Sequence, residues 1–130
     1  MTLKILIDNK VSMSKLDLML SQVNPGWHPL VEKLVKDLVS LGWNGNYTQI
    51  KQKFGELRFY IDNEGYSKIS FERIMDCIVD AEIQSGFICE MCGGLGEIKS
   101  DLPWVMTLCD GHYADEKTIL EANRNRREEK

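Results

Sequence analysis

The stretch Cys89-Glu90-Met91-Cys92-Gly93-Gly94, followed further on by Trp104-Val105-Met106-Thr107-Leu108-Cys109-Asp110-Gly111-His112, sets two C-x-x-[C/H] pairs sixteen residues apart. Three thiolates and one imidazole at such spacings suit a closed tetrahedral zinc site. The expected ligands are Cys89, Cys92, Cys109 and His112. They would hold one structural zinc ion, with every coordination position filled by protein. Gly93 lets the backbone turn tightly behind Cys92, as in a zinc knuckle. Residues 95–108 predict a hairpin, with Ser100-Asp101-Leu102-Pro103 in its turn and Trp104 to Leu108 as its second strand. From Asp110 to about Arg126 the pattern is helical, with Tyr113, Ile119 and Leu120 as its apolar residues. Cys109 and His112 would share one face of that helix's first turn. Knuckle, hairpin and ligand-bearing helix together make a treble-clef-like module.

Upstream of the knuckle, Phe71, Ile74, Met75, Ile78 and Ala81 predict a helix over 67–85, capped by Ser67 or Ser70. Cys77 lies in the middle of this helix without a partner at ligand spacing, and reads as a buried free thiol. Before it, residues 47–62 predict a hairpin. Phe54-Gly55-Glu56-Leu57 suggests a two-residue loop with glycine first, a type II′ turn. That register opposes Phe54 to Leu57, Gln52 to Phe59 and Ile50 to Ile61. One face is then apolar, interrupted only by Gln52, and is expected to cover the preceding helix. That helix, over 29–41, is marked by Leu30, Val31, Leu34, Val35, Leu38 and Leu41 at helical spacing. Pro29 suits its start and Gly42 its left-handed stop. Trp27 is expected to anchor the core. Nearer the N-terminus, residues 2–8 predict a short strand and residues 14–22 a short helix.

The fold class is therefore α+β: a helix–hairpin–helix domain over 1–86, then a zinc-binding module over 87–130, packed as one unit. The chain has 130 residues, 43% of them hydrophobic and 28% charged, as expected of a folded domain with a real core. No apolar run reaches a membrane span and the N-terminus does not read as a signal peptide, so a cytoplasmic location is expected. In that compartment four cysteines are read as metal ligands and free thiols rather than disulfides. Net charge is −4, which counts against a general nucleic-acid coat. The charge is uneven: residues 1–62 carry eight basic and six acidic side chains, and residues 63–112 carry three basic and nine acidic. Either pole can serve as a binding face.

Gly-Trp-His-Pro-Leu-Val (26–31), Gln-Ile-Lys-Gln-Lys-Phe-Gly-Glu-Leu-Arg-Phe-Tyr (49–60), Ala-Glu-Ile-Gln-Ser (81–85) and the two ligand-bearing segments carry a resemblance. Across roughly residues 25–115 the chain resembles a family of small phage- and prophage-encoded proteins. The resemblance implies a phage or mobile-element origin and points to no catalytic residues.

Three functions follow as expectations. The first is a non-enzymatic protein that binds a host protein complex, such as an inhibitor of a host defence complex in the manner of an anti-CRISPR protein. The second is nucleic-acid binding through Lys51, Lys53, Arg58 and Tyr60 on one hairpin face, with Arg124, Arg126 and Arg127 near the C-terminus. The third is a nuclease on a treble-clef scaffold. It is disfavoured because no histidine lies between Cys92 and Cys109 to act as base.

Overall fold

The computed structural model describes residues 11–128, so the strand expected over 2–8 lies outside the described residues. In chain order the elements are α1 (Met13–Leu20), a 3-10 turn (Pro25–Trp27), α2 (His28–Ser40), β1 (Gln49–Lys53), β2 (Glu56–Tyr60), α3 (Lys68–Ser85), β3 (Glu97–Lys99), β4 (Met106–Leu108) and α4 (Asp110–Glu128). The strands form two separate two-stranded antiparallel sheets, β1–β2 and β3–β4. The architecture is α+β, as expected. Among the described residues no helix is long and apolar enough to cross a membrane.

Helix α1 begins after Ser12, whose hydroxyl accepts the Lys15 amide, and buries Leu16 and Met19. Helix α2 buries Leu30, Val31, Leu34, Val35 and Leu38. It ends in a Schellman motif. The Gly42 amide donates to the Val39 carbonyl at 3.1 Å and the Trp43 amide to the Leu38 carbonyl at 2.9 Å. Gly42 takes φ +101°, which explains its place there. The chain then drops Trp43 fully into the core, where it meets Phe59 edge to face at 5.8 Å. Its indole N–H donates to the Asn46 carbonyl, so the ring is buried without an orphaned donor.

The first hairpin has a different register from the expected one. Ile50 opposes Phe59, Gln52 opposes Leu57 and Lys53 opposes Glu56. The two loop residues are Phe54 and Gly55, at φ +54° and +83°. Positive φ at both positions is the signature of a type I′ turn with glycine second, in place of the type II′ turn read from glycine in first place. The slip is two residues, so the buried and exposed faces are preserved. Phe54 leaves the apolar face and is exposed at the tip, while Ile50, Leu57 and Phe59 stay buried.

The hairpin is held to α3 by the helix's C-terminal side chains. The Leu57 amide donates to Ser85 Oγ at 2.8 Å, and the Phe59 amide to Glu82 Oε2 at 3.1 Å. These two groups stand where a third strand would otherwise satisfy the outer edge of β2. Ser67 is the N-cap of α3, its hydroxyl accepting the Ser70 amide. Ile74, Ile78 and Ala81 face the core. Cys77 is half-buried at the edge of that core, less enclosed than expected, and shares a small hollow with Lys33 and Asp37 of α2. Burial raises its thiol pKa, so it stays protonated and unreactive near neutral pH.

Two apolar clusters result. The larger joins α1, α2, α3 and the first hairpin around Trp27, Trp43, Leu38, Leu57 and Phe59. The smaller contains Cys89, Leu102, Met106 and Leu108, with Cys109 and Tyr113 packed on it.

Candidate metal centre

The 86–96 segment folds back on itself around the first cysteine pair. Ile88 and Leu95 form an isolated antiparallel bridge, and the Gly96 amide donates to the Phe87 carbonyl. Between them the Gly93 amide donates to the Cys89 carbonyl at 2.9 Å, and Gly93 takes φ +83°. This tight loop presents both sulfurs to the same side. The second strand of the following hairpin is shorter than expected, beginning at Met106 rather than Trp104, and leads directly to Cys109. Cys109 sits immediately before α4 rather than on its first turn. Its carbonyl accepts the Tyr113 amide at 2.9 Å and its sulfur the His112 amide at 3.4 Å. It thus occupies the position of an N-cap, where the helix dipole favours an anionic sulfur.

These elements bring Cys89, Cys92, Cys109 and His112 together, with one ligand atom of each lying within 4.8 Å of all the others. Cys92 Sγ lies 3.9 Å from Cys109 Sγ. His112 Nδ1 lies 3.2 Å from Cys109 Sγ and 3.6 Å from Cys89 Sγ. Cys89 is buried, Cys109 and His112 are half-buried, and Cys92 is the most open. The arrangement can hold a metal ion by three sulfurs and one nitrogen. The His112 backbone amide and ring bring the Cys109 thiol down to about 7. Hydrogen bonding to Cys109 raises the His112 imidazole. The pair is thus poised to exchange its protons for a cation.

A second set of residues fixes the knuckle and was not anticipated from sequence. Glu90 lies between Cys89 and Cys92 in the chain and is almost wholly buried. Its Oε2 accepts from the Thr107 amide at 2.9 Å and Gln52 Nε2 at 2.8 Å, and its Oε1 from Asn24 Nδ2 at 3.1 Å. One carboxylate therefore ties the knuckle to β4, to the first hairpin and to the turn before α2. Gln52 also donates to the Val105 carbonyl, so the polar interruption in the hairpin's apolar face is the joint between the two halves. Thr107 Oγ1 donates to the Gly55 carbonyl at 2.5 Å.

Gly26 completes the joint. Its amide donates to the Glu90 carbonyl at 2.6 Å, and a Cβ there would lie 2.1 Å from the Cys89 carbonyl oxygen. Trp27, next in sequence, is fully buried and donates its indole N–H to the Ile88 carbonyl at 2.8 Å. The Gly-Trp pair thus grips the backbone on both sides of Cys89. On the other flank of the site, the Tyr113 hydroxyl donates to Asp101, and Lys99 Nζ lies 4.6 Å from the Tyr113 ring centroid. These contacts tie the β3–β4 hairpin to α4.

The basic hairpin residues are on one face, as expected. Lys51 opposes Arg58 and lies 5.9 Å from the Tyr60 ring centroid. Lys53 and Tyr60 are exposed. Arg58, however, is occupied by carboxylates, with Glu56 at 3.3 Å and Glu82 at 3.9 Å.

The comparisons return nothing that extends this picture: no protein-family profile, no curated protein and no solved structure matches the chain. The class defined by fold and site is an α+β chain with a four-residue candidate metal centre.

Proposed function

We propose that the chain is a non-enzymatic zinc protein of phage type that docks on a protein partner, as an inhibitor of a host defence complex would. The observation that carries the non-enzymatic part of the reading is the saturation of the polar groups around the candidate metal centre. A zinc ion with bonds of about 2.3 Å to sulfur and 2.0–2.1 Å to nitrogen implies S···S near 3.8 Å and S···N near 3.6 Å in a tetrahedron. The observed 3.9 Å between Cys92 and Cys109 and 3.6 Å between His112 and Cys89 are close to those values, and the 3.2 Å between His112 and Cys109 is shorter. Four protein donors leave no position for a substrate. The nearby carboxylates and hydroxyl, Glu90, Glu82 and Ser85, each accept backbone amides, a structural use that argues against a general acid or base. Knuckle, hairpin and helix in this order support a treble-clef module.

Two measurements test this reading. Metal analysis of protein purified without added zinc should give one zinc per chain, and a zinc-free folded protein would refute the assignment. Crosslinking in lysate of a bacterial host, followed by mass spectrometry, should recover a defined protein complex. Recovery of nucleic acid alone would overturn the protein-binding reading.

A second reading, nucleic-acid binding, draws on Lys51, Lys53 and Tyr60. A cation beside an exposed ring on a sheet face can hold a strand by phosphate contact and stacking. The two carboxylates on Arg58 weaken it. Reversing the charges of Lys51, Lys53 and Arg58 together should abolish binding to mixed DNA and RNA if that reading holds, with a salt dependence that shrinks in step.

A further inference from the structure

Where α3 ends against the second hairpin, the surface opens into a groove of about 510 Å³ lined by Glu56, Ile83, Gly86, Phe87, Glu97 and Ile98. Its walls are large apolar side chains left in solvent: Ile83 is 57% exposed, Phe87 62% and Ile98 42%. Its floor is Gly86, with the Ile98 side chain 3.5 Å from where a Cβ would stand. Ile98 is itself lodged against Gly55, whose Cβ would meet it at 3.3 Å. The groove is therefore built by contacts among α3, the first hairpin turn and β3, and its shape is set by the fold.

We propose that this groove docks a segment of a partner protein that carries a large apolar side chain flanked by lysine or arginine. The proposal rests on the protein-binding reading above and names the surface that serves it. The apolar walls ask for a branched or aromatic side chain. The rim asks for cations. Glu56 and Glu97 are the charged residues that line the groove; Glu56 is part-buried beside Arg58 at 3.3 Å, and Glu97, largely exposed, has the mostly buried Lys99 at 3.3 Å. Asp80 and Asp76 lie one and two turns back from Ile83 along α3, outside the groove, and both are exposed.

Charge selects among occupants. Phosphates of nucleic acid or of an anionic membrane would meet the Glu56 and Glu97 carboxylates that line the groove. A second copy through this face would set two acidic surfaces together, since residues 63–112 carry nine acidic side chains against three basic. A basic–apolar protein segment satisfies both the walls and the rim.

The test uses the intact zinc-loaded chain and a random peptide library displayed on filamentous phage. Enriched peptides should pair an aromatic or branched residue with nearby lysine or arginine. Gly86→Leu fills the floor. The backbone there, at φ −70° and ψ −4°, accepts any residue, and the nearest atoms to its Cβ are at 3.5 Å. That variant should weaken the selected peptides by at least about tenfold, and Glu56→Gln with Glu97→Gln by a smaller, salt-dependent factor. If Gly86→Leu fails to fold, the exposed Phe87→Ser takes its place. Selection of acidic peptides, no selection, or equal binding to the filled groove would overturn the proposal. A host complex crosslinked equally by wild type and Gly86→Leu would sink the groove while leaving the protein-binding reading intact. Failure to crosslink any protein would sink that reading itself.

Discussion

The two halves of this molecule are held by different forces. The larger cluster buries Trp27, Trp43, Phe59 and the apolar stripe of α2, each of them essentially out of solvent. Such side chains contribute about 1.5–3 kcal/mol apiece when fully buried. The metal module has a core of only Cys89, Leu102, Met106 and Leu108, too little apolar surface to offset the entropy of ordering its loops. Its order must come from the metal donors and from polar contacts borrowed from the other half. The lesson is that the module is a dependent structure, braced through Glu90, Gln52 and Gly26.

The largest effect should come from metal removal. Structural zinc contributes on the order of 10 kcal/mol to small metal-folded units. Chelation should therefore erase amide protection at Gly96, Thr107 and Tyr113 in hydrogen exchange while leaving α2 protected. Equal loss in both halves would break the contrast between them. Next comes Gly26→Ala. A Cβ placed 2.1 Å from the Cys89 carbonyl oxygen must displace backbone, at a cost of roughly 3 kcal/mol or more. It should lower the denaturation midpoint and zinc affinity together, and a change in one alone would mean that the halves are coupled elsewhere.

Glu90→Ala strips partners from the Thr107 amide and from the Gln52 and Asn24 side chains, two of them part-buried. About 2–4 kcal/mol should be lost, from one unsatisfied buried amide plus weakened polar contacts, read by urea denaturation of the zinc-loaded protein. Double mutation with Gln52→Ala should be less than additive if the two share one network. The metal centre itself should weaken in acid. Cys109 loses its proton at about 7 and His112 titrates above its ordinary value. As pH falls through those values protons compete with the ion, so zinc should pass to a chelator more readily below neutrality. Flat transfer across that range would contradict ligation by this pair. The smallest effect is a gain: Phe54 holds φ +54° at the hairpin tip, and Phe54→Asn should stabilise the protein by about 0.5–1 kcal/mol. The gain should appear in thermal unfolding of the apolar half and leave zinc affinity unchanged.

Sequence by itself determined the elements whose signals are local. The α2 stripe with its Gly42 stop, the Ser67 cap and the two ligand pairs depend on spacings of a few residues, and the structure has them where those spacings put them. The faces of the first hairpin were legible because alternation has a period of two. Its register was not, because a two-residue slip keeps every side chain on the same face and only the backbone angles of Phe54 and Gly55 distinguish the two. The short strand β4 and the position of Cys109 before α4 likewise depend on hydrogen bonds that no spacing specifies. Tertiary structure alone decided the brace. Gln52 read only as an interruption in an apolar face, and nothing in the sequence singled out Glu90, because the two partners are 38 residues apart in the chain. A buried polar contact across that distance leaves no periodic trace; it exists only once two apolar faces have brought the chain together and the desolvated carboxylate must find its donors.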